Sequence, residues 1–142
     1  MRIALGSDHA GYRYKERIRE RLAAAGHQVR DFGTDSEESV DYPRFVRPVA
    51  EAVAAGEADR GIVLGGSGNG EAMAANRVRG VRCALAWSEE SARLGRAHND
   101  ANVLSLGERL VAWETVERIL DLFLETPFDG GRHERRVRML EE

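Results

Sequence analysis

The sequence predicts an α/β fold, a Rossmann-like three-layer sandwich built on a parallel five-stranded sheet. Three observations carry that expectation. Short runs of strand character recur along the chain, stretches with helical spacing separate them, and the runs are apolar almost throughout, as in parallel strands covered on both faces. A length of 142 residues fits one globular domain over 1–142.

The first run, Ile3-Ala4-Leu5, leads into the polar Ser7-Asp8-His9. Tyr14, Ile18 and Leu22 then recur every four residues amid Lys15, Glu16, Arg17 and Arg19, giving one apolar helix face. Val29 to Phe32 reads as the second strand, and Thr34 to Asp41, with four acidic residues and two serines, as a long mobile loop. Phe45, Val46, Val49 and Val53 make a second helical stripe. Gly61 to Leu64, Cys83 to Ala86 and Val103 to Leu106 supply the remaining strands. Ser88 before Glu89 and Glu90 reads as a helix cap with an acidic first turn. Val116, Ile119, Leu120 and Phe123 form the last apolar stripe, and the Gly130-Gly131 pair sets off a basic segment, 130–142, expected to pack on or near a partner subunit.

Composition narrows the function. The net charge of −3 lacks the basic field of a nucleic-acid binder. The single cysteine, Cys83, rules out an internal disulfide and a cysteine-built zinc cage, and its place in a strand run favours a small buried residue over a nucleophile. No apolar run approaches the ~20 residues that span a bilayer, and Met-Arg-Ile-Ala-Leu-Gly does not look like a signal peptide, so a soluble cytoplasmic protein is expected. Of the 21 basic residues only Lys15 is lysine. The 20 arginines read as a coding bias and a solvated surface, with room for a few planar forks that hold an anion.

Open parallel sheets bind ligands outside the carboxyl ends of their strands, which directs attention to the loops after Leu5, Leu64 and Trp87. Gly65-Gly66-Ser67-Gly68-Asn69-Gly70-Glu71 is the strongest local feature. Its glycines permit close backbone approach, and their N–H groups with the following helix N-terminus form an anion cradle. The phosphate-gripping lysine of a Walker A loop is missing, and the spacing of Gly66, Gly68 and Gly70 is not that of a dinucleotide fingerprint. Glu71 fits two roles: a favourable first-turn acid, or a base aimed at a substrate whose oxyanion the loop holds. Asp8-His9 serves equally as a cap or a ligand contact, and His98-Asn99-Asp100 as a helix terminus or a polar cluster. Arg132 and Arg136, four apart, share one helix face and suit either solvent or a phosphate.

Six blocks in order resemble the ribose-5-phosphate isomerase type B family, which includes galactose-6-phosphate and allose-6-phosphate isomerases. They are Gly6 to Gly11, Asp41-Tyr42-Pro43, Gly65 to Asn76, His98-Asn99 with Asn102-Val103-Leu104, Gly107-Glu108-Arg109, and Arg132 to Arg136. The resemblance implies an aldose–ketose isomerase that works through an enediolate with no metal and no organic cofactor. One branch of the family carries a cysteine base at the first position of the glycine loop. Here that position is Gly65, and this sequence resembles the branch whose base is the glutamate after the loop, Glu71. By the same resemblance His98 opens the sugar ring, Asp8 holds hydroxyls or assists, and Ser67 moves a hydroxyl proton. Gly66, Gly68 and Gly70 stabilise the enediolate oxygen; His9, Arg109, Arg132 and Arg136 bind phosphate; Asn99 and Tyr42 line the sugar. A homodimer with shared sites, paired or not into a tetramer, is implied, with residues around His98 and Arg109 supplied by the partner chain. Two alternatives stay open: the same chemistry on a six- or four-carbon sugar phosphate, and a phosphate-binding module without catalysis.

Overall fold

A computed structural model describes residues 1–142. Five parallel strands, β1 (Arg2–Ser7), β2 (Gln28–Asp31), β3 (Arg60–Gly65), β4 (Cys83–Leu85) and β5 (Val103–Gly107), form one sheet in the order β2-β1-β3-β5-β4. Six helices accompany them: α1 (Tyr12–Ala24), α2 (Pro43–Ala54), α3 (Asn69–Asn76), α4 (Glu89–Asn99), α5 (Trp113–Glu125) and α6 (Arg132–Met139). No helix is long and apolar enough to cross a membrane.

The period-two geometry of a strand sorts the core onto two faces. Ile3, Leu5, Ile62, Leu64, Leu104 and Leu106 meet Ile18 and Leu22 of α1, Ala92 of α4 and Val116, Ile119, Leu120 and Phe123 of α5. Ala4, Val63 and Val103 meet Val46, Val49 and Val53 of α2 and Ala75 of α3. The helical stripes expected from the sequence are thus the buried ones. Helix starts follow local chemistry. Pro43 opens α2, where its missing N–H costs nothing, and Ser88 and Ser91 make a reciprocal capping box on α4.

The only lysine is the unexpected core residue. Lys15 lies on the helix face that holds Ile18 and Leu22, fully buried, with its ammonium 2.9 Å from Glu16 and 2.5 Å from Asp31. Two carboxylates compensate its burial, since an unpaired charge in the interior is strongly disfavoured. Asp31 also accepts the Gly33 N–H (2.8 Å), so the ion cluster ties α1 to the turn after β2. The loop 34–41, expected to be mobile, is anchored to the body: the Val40 N–H donates to His9 Nδ1 (3.1 Å) and Arg13 pairs with Glu37.

The strand order reverses direction between β1 and β3, because the chain leaves β1 for β2 on one side and leaves β3 for β4, at the far edge, on the other, with β5 then filling the gap between β3 and β4. The carboxyl ends of these two strands therefore open a crevice. Asp8 and the glycine loop stand on either side of it.

Candidate active site

The crevice is organised around Glu71. Gly68, at φ +83°, takes the left-handed conformation that a side chain resists, and this turns the chain from β3 into α3 within one residue. Glu71 falls in the first turn and folds back toward the end of β3, where it is buried (4% exposed). A Cβ on Gly65 would lie 2.7 Å from Glu71 Oε2 and closer still to Oε1 and the carboxyl carbon. The carboxylate thus occupies the space that a side chain at position 65 would fill. Burial pushes the Glu71 carboxyl up, the charge of Asp8 adds to this, and the N–H groups of Glu71 and Gly68 pull it down. The poor basicity expected at a helix N-terminus is offset by desolvation.

Neighbouring strands hold the loop in place. Glu108 and Arg109, just past β5, donate their N–H groups to Gly65 O (2.9 Å) and Gly66 O (3.1 Å). The Ser105 hydroxyl donates to Gly68 O at 2.7 Å from inside β5. Sequence reasoning missed Ser105, although a polar residue amid Val103, Leu104 and Leu106 was the available signal. It also missed the anchoring role of Glu108, whose carboxylate accepts the Tyr14 N–H (2.7 Å) and joins this loop to α1.

Most of the first set of expected residues converge here. The Asp8 carboxylate accepts the N–H groups of Ala10 (2.9 Å) and Gly11 (3.2 Å), so its capping role is realised, beside the Glu71 carboxyl. His9 accepts from Val40 through Nδ1, which leaves its proton on Nε2 as a donor. The Tyr42 ring lies against Gly70 and the Arg109 guanidinium against Gly66, at distances that leave no room for a Cβ on Gly70 and little on Gly66. Ser67 Oγ accepts from the Asn69 backbone and side-chain amides, each at 3.2 Å, so its own proton is free to donate. The Cys83 thiol is pushed up to about 12 by burial, in keeping with a packing role.

The second set lies elsewhere. His98 and Asn99 close α4 just before β5 begins, at the amino end of the sheet, whereas the glycine loop lies at the carboxyl end. β5 alone, at five residues, separates the two ends by about 16 Å. The His98 ring stacks on His133 of α6 with centroids 4.2 Å apart, and Arg132 and Arg136 flank His133 on the same exposed helix. Asn99 lines a cavity of about 630 Å³ with Arg77, Arg82, Cys83, Leu140 and Glu141. No single chain brings this set to Glu71. Arg109 corrects the other part of that expectation: its guanidinium covers the glycine loop of its own chain, because the turn after β5 is bonded directly to that loop.

A family model described as Ribose/Galactose Isomerase matches residues 3–140. The chain belongs to this family. Ribose-5-phosphate isomerase B of Mycobacterium leprae is 48% identical over 144 residues, covering 100% of this chain and 89% of the relative. The structure of Clostridium thermocellum ribose-5-phosphate isomerase B superposes with a TM-score of 0.98 at 50% identity, covering 99% of this chain and 95% of the other. The Mycoplasma genitalium ribose-5-phosphate isomerase B, solved with bound ribulose-5-phosphate, gives 0.95 at 41% identity and covers 99% and 93%. The sheet and helices described above therefore superpose on those of these solved structures over nearly the whole chain.

Proposed function

We propose that the chain interconverts ribose 5-phosphate and ribulose 5-phosphate through an enediolate, with Glu71 as the base. The observation that carries this reading is the buried Glu71 carboxylate folded into the crook of the glycine loop at the sheet's crevice. A module that only bound phosphate would gain nothing from a carboxylate there, since it would repel the ligand. An isomerase needs that group next to donors for the developing oxyanion. The names of the relatives support the five-carbon substrate.

In this mechanism His98 opens the furanose by proton transfer and Asp8 holds sugar hydroxyls. Glu71 removes the proton from C2 and returns it to C1, N–H groups between Gly66 and Gly70 stabilise the enediolate oxygen, and Ser67 donates to the hydroxyl that exchanges its proton. Arg109 and the Nε2–H of His9 bind phosphate from one side, Arg132 and Arg136 from the other, and Tyr42 and Asn99 line the sugar. The opposite-end placement of His98 and Glu71 supports a homodimer in which the His98 end of one copy meets the glycine loop of the other. Met73, Trp87, Leu110, Met139 and Leu140, all 58–69% exposed, are apolar surface suited to such a contact. The basic segment 130–142 then packs across that contact, each chain remains one domain, and the setting is the cytoplasm.

A coupled turnover assay comparing ribose 5-phosphate with allose 6-phosphate, galactose 6-phosphate and erythrose 4-phosphate tests the substrate. Ribose 5-phosphate is expected to give the highest kcat/KM; failure on all four sugars sinks the catalytic reading. Mixing Glu71→Gln and His98→Asn chains tests the sharing. Each variant alone is inactive, and random pairing restores about a quarter of wild-type activity, because half the dimers carry one intact site in two. No recovery on mixing refutes the shared site.

A further inference from the structure

We propose that His98, Asp129 and His133 form a binding site for one divalent transition-metal ion of the zinc class, and that filling it inhibits the enzyme. One ligand atom from each side chain lies within 4.8 Å of the other two. The rings stack 13° from parallel with centroids 4.2 Å apart, so their in-plane lone pairs lie in nearly parallel planes. Tetrahedral bonds of about 2.0–2.1 Å need nitrogens about 3.3 Å apart with the two ring planes splayed, so metal binding requires the stacked pair to hinge open onto one ion. Two imidazoles and a carboxylate with a remaining open position are a donor set for zinc, nickel or copper, whereas magnesium and calcium prefer oxygen cages.

The framework around the three ligands is fixed by backbone bonds. The Asp129 N–H donates to Ala97 O at 2.9 Å, which holds that residue beside the last turn of α4. The His133 N–H donates to Gly130 O at 3.0 Å at the start of α6. The charged groups nearby are Arg132 and Arg136 on α6, and Arg93 on α4, which is paired with Glu90 at 2.5 Å. The arginines oppose a bound cation. The site therefore selects an ion that forms strong directional bonds to imidazole over one held by charge alone.

Inhibition rests on the reading of His98 as the ring-opening group, because a metal occupies the nitrogen that would carry the proton; binding does not rest on it. Untagged protein stripped with a chelator is titrated with Co²⁺ and then Zn²⁺, and turnover is followed in parallel. The expected result is one Co²⁺ per chain, with the intense visible bands of a low-coordinate nitrogen and oxygen site, displaced by Zn²⁺. Zn²⁺ abolishes turnover and EDTA restores it. Asp129→Asn keeps basal turnover but weakens metal binding at least about tenfold, as does His133→Gln. Co²⁺ spectra and stoichiometry unchanged in both variants, or absent in the wild type, overturn the site. Binding without inhibition overturns the inhibitory half and counts against His98 in ring opening. A protein that binds and loses metal as expected but turns over no sugar phosphate fails the isomerase reading while leaving the metal site intact.

Discussion

Replacing Gly65 with alanine adds a single methyl group, and its consequence follows from one set of distances. The new carbon would stand 2.7 Å from Glu71 Oε2 and nearer to the rest of the carboxyl group, against ordinary contacts of about 3.5–4.0 Å. The carboxylate must retreat by more than about 1 Å, and displacement on that scale costs a positioned catalytic group ~100-fold in rate. The backbone at 65 stays bonded to Glu108, and overpacking one methyl costs about 1–3 kcal/mol, so the variant folds. Steady-state kinetics on ribose 5-phosphate should give kcat down about 100-fold with KM changed less than about threefold, since binding groups are untouched. Thermal unfolding should show a cooperative transition lowered by several degrees. A variant retaining more than about a third of wild-type kcat would refute the reasoning, because the base cannot lie where the methyl goes.

Glu71→Gln should lower kcat by 10²–10⁴-fold, the usual contribution of a general base; a smaller loss removes Glu71 from that role. Its carboxyl is raised above the usual 4.5. Activity of the wild type therefore falls as pH drops through a value above the ordinary carboxylate range, and a pH–rate profile with its acid limb at or below 4.5 contradicts this. A raised folded-state value makes protonated Glu71 favourable to folding below the unfolded-state pKa, a contribution lost as pH rises through the folded one. Glu71→Gln should accordingly raise Tm at neutral pH, and a lowered Tm counts against a strained, ionised carboxylate. Ser105→Ala removes one of two hydrogen bonds to Gly68 O, the other coming from the Ala72 N–H (3.0 Å). It should cost about 0.5–1.5 kcal/mol and reduce kcat, and unchanged stability and rate would leave Ser105 without an anchoring role. Arg109→Ala and Arg136→Ala should each raise KM about tenfold or more with kcat nearly kept; a constant KM returns that arginine to structure or solvent.

The elements of the fold were legible because strands buried on both faces must be apolar throughout and helices must bury one stripe; Ile18, Leu22, Val49, Ile119 and Phe123 all lie where their spacing put them. The glycine loop was legible for a similar reason, since few structures other than a close backbone approach call for such a run. The separation of His98 from Glu71 was legible too, since the sequence reads one at the close of a helix and the other at the start of one, and a parallel sheet sends those to opposite edges. The placement of Arg109 was not, because only the bonds from the turn after β5 to the glycine loop show that it covers the loop of its own chain. Ser105 and Lys15 were illegible for a different reason. Each is a polar side chain on a buried face, and only the partner, Gly68 O in one case and Asp31 with Glu16 in the other, explains it.

The burial of Lys15 has a practical corollary for handling the protein. Every other basic side chain is arginine or histidine, so the one side-chain amine is sealed under α1 between two carboxylates, and the α-amine of Met1 is bonded to His27 Nδ1 at 3.0 Å. Reagents that seek primary amines, such as succinimidyl esters and dialdehyde cross-linkers, meet a folded surface that offers them only the chain terminus. Tests of how copies associate must therefore rely on carboxylate or arginine chemistry, or on hydrodynamic measurement. The same scarcity makes amine labelling a sensitive gauge of unfolding, because a second reactive amine comes into reach only when helix α1 leaves the sheet.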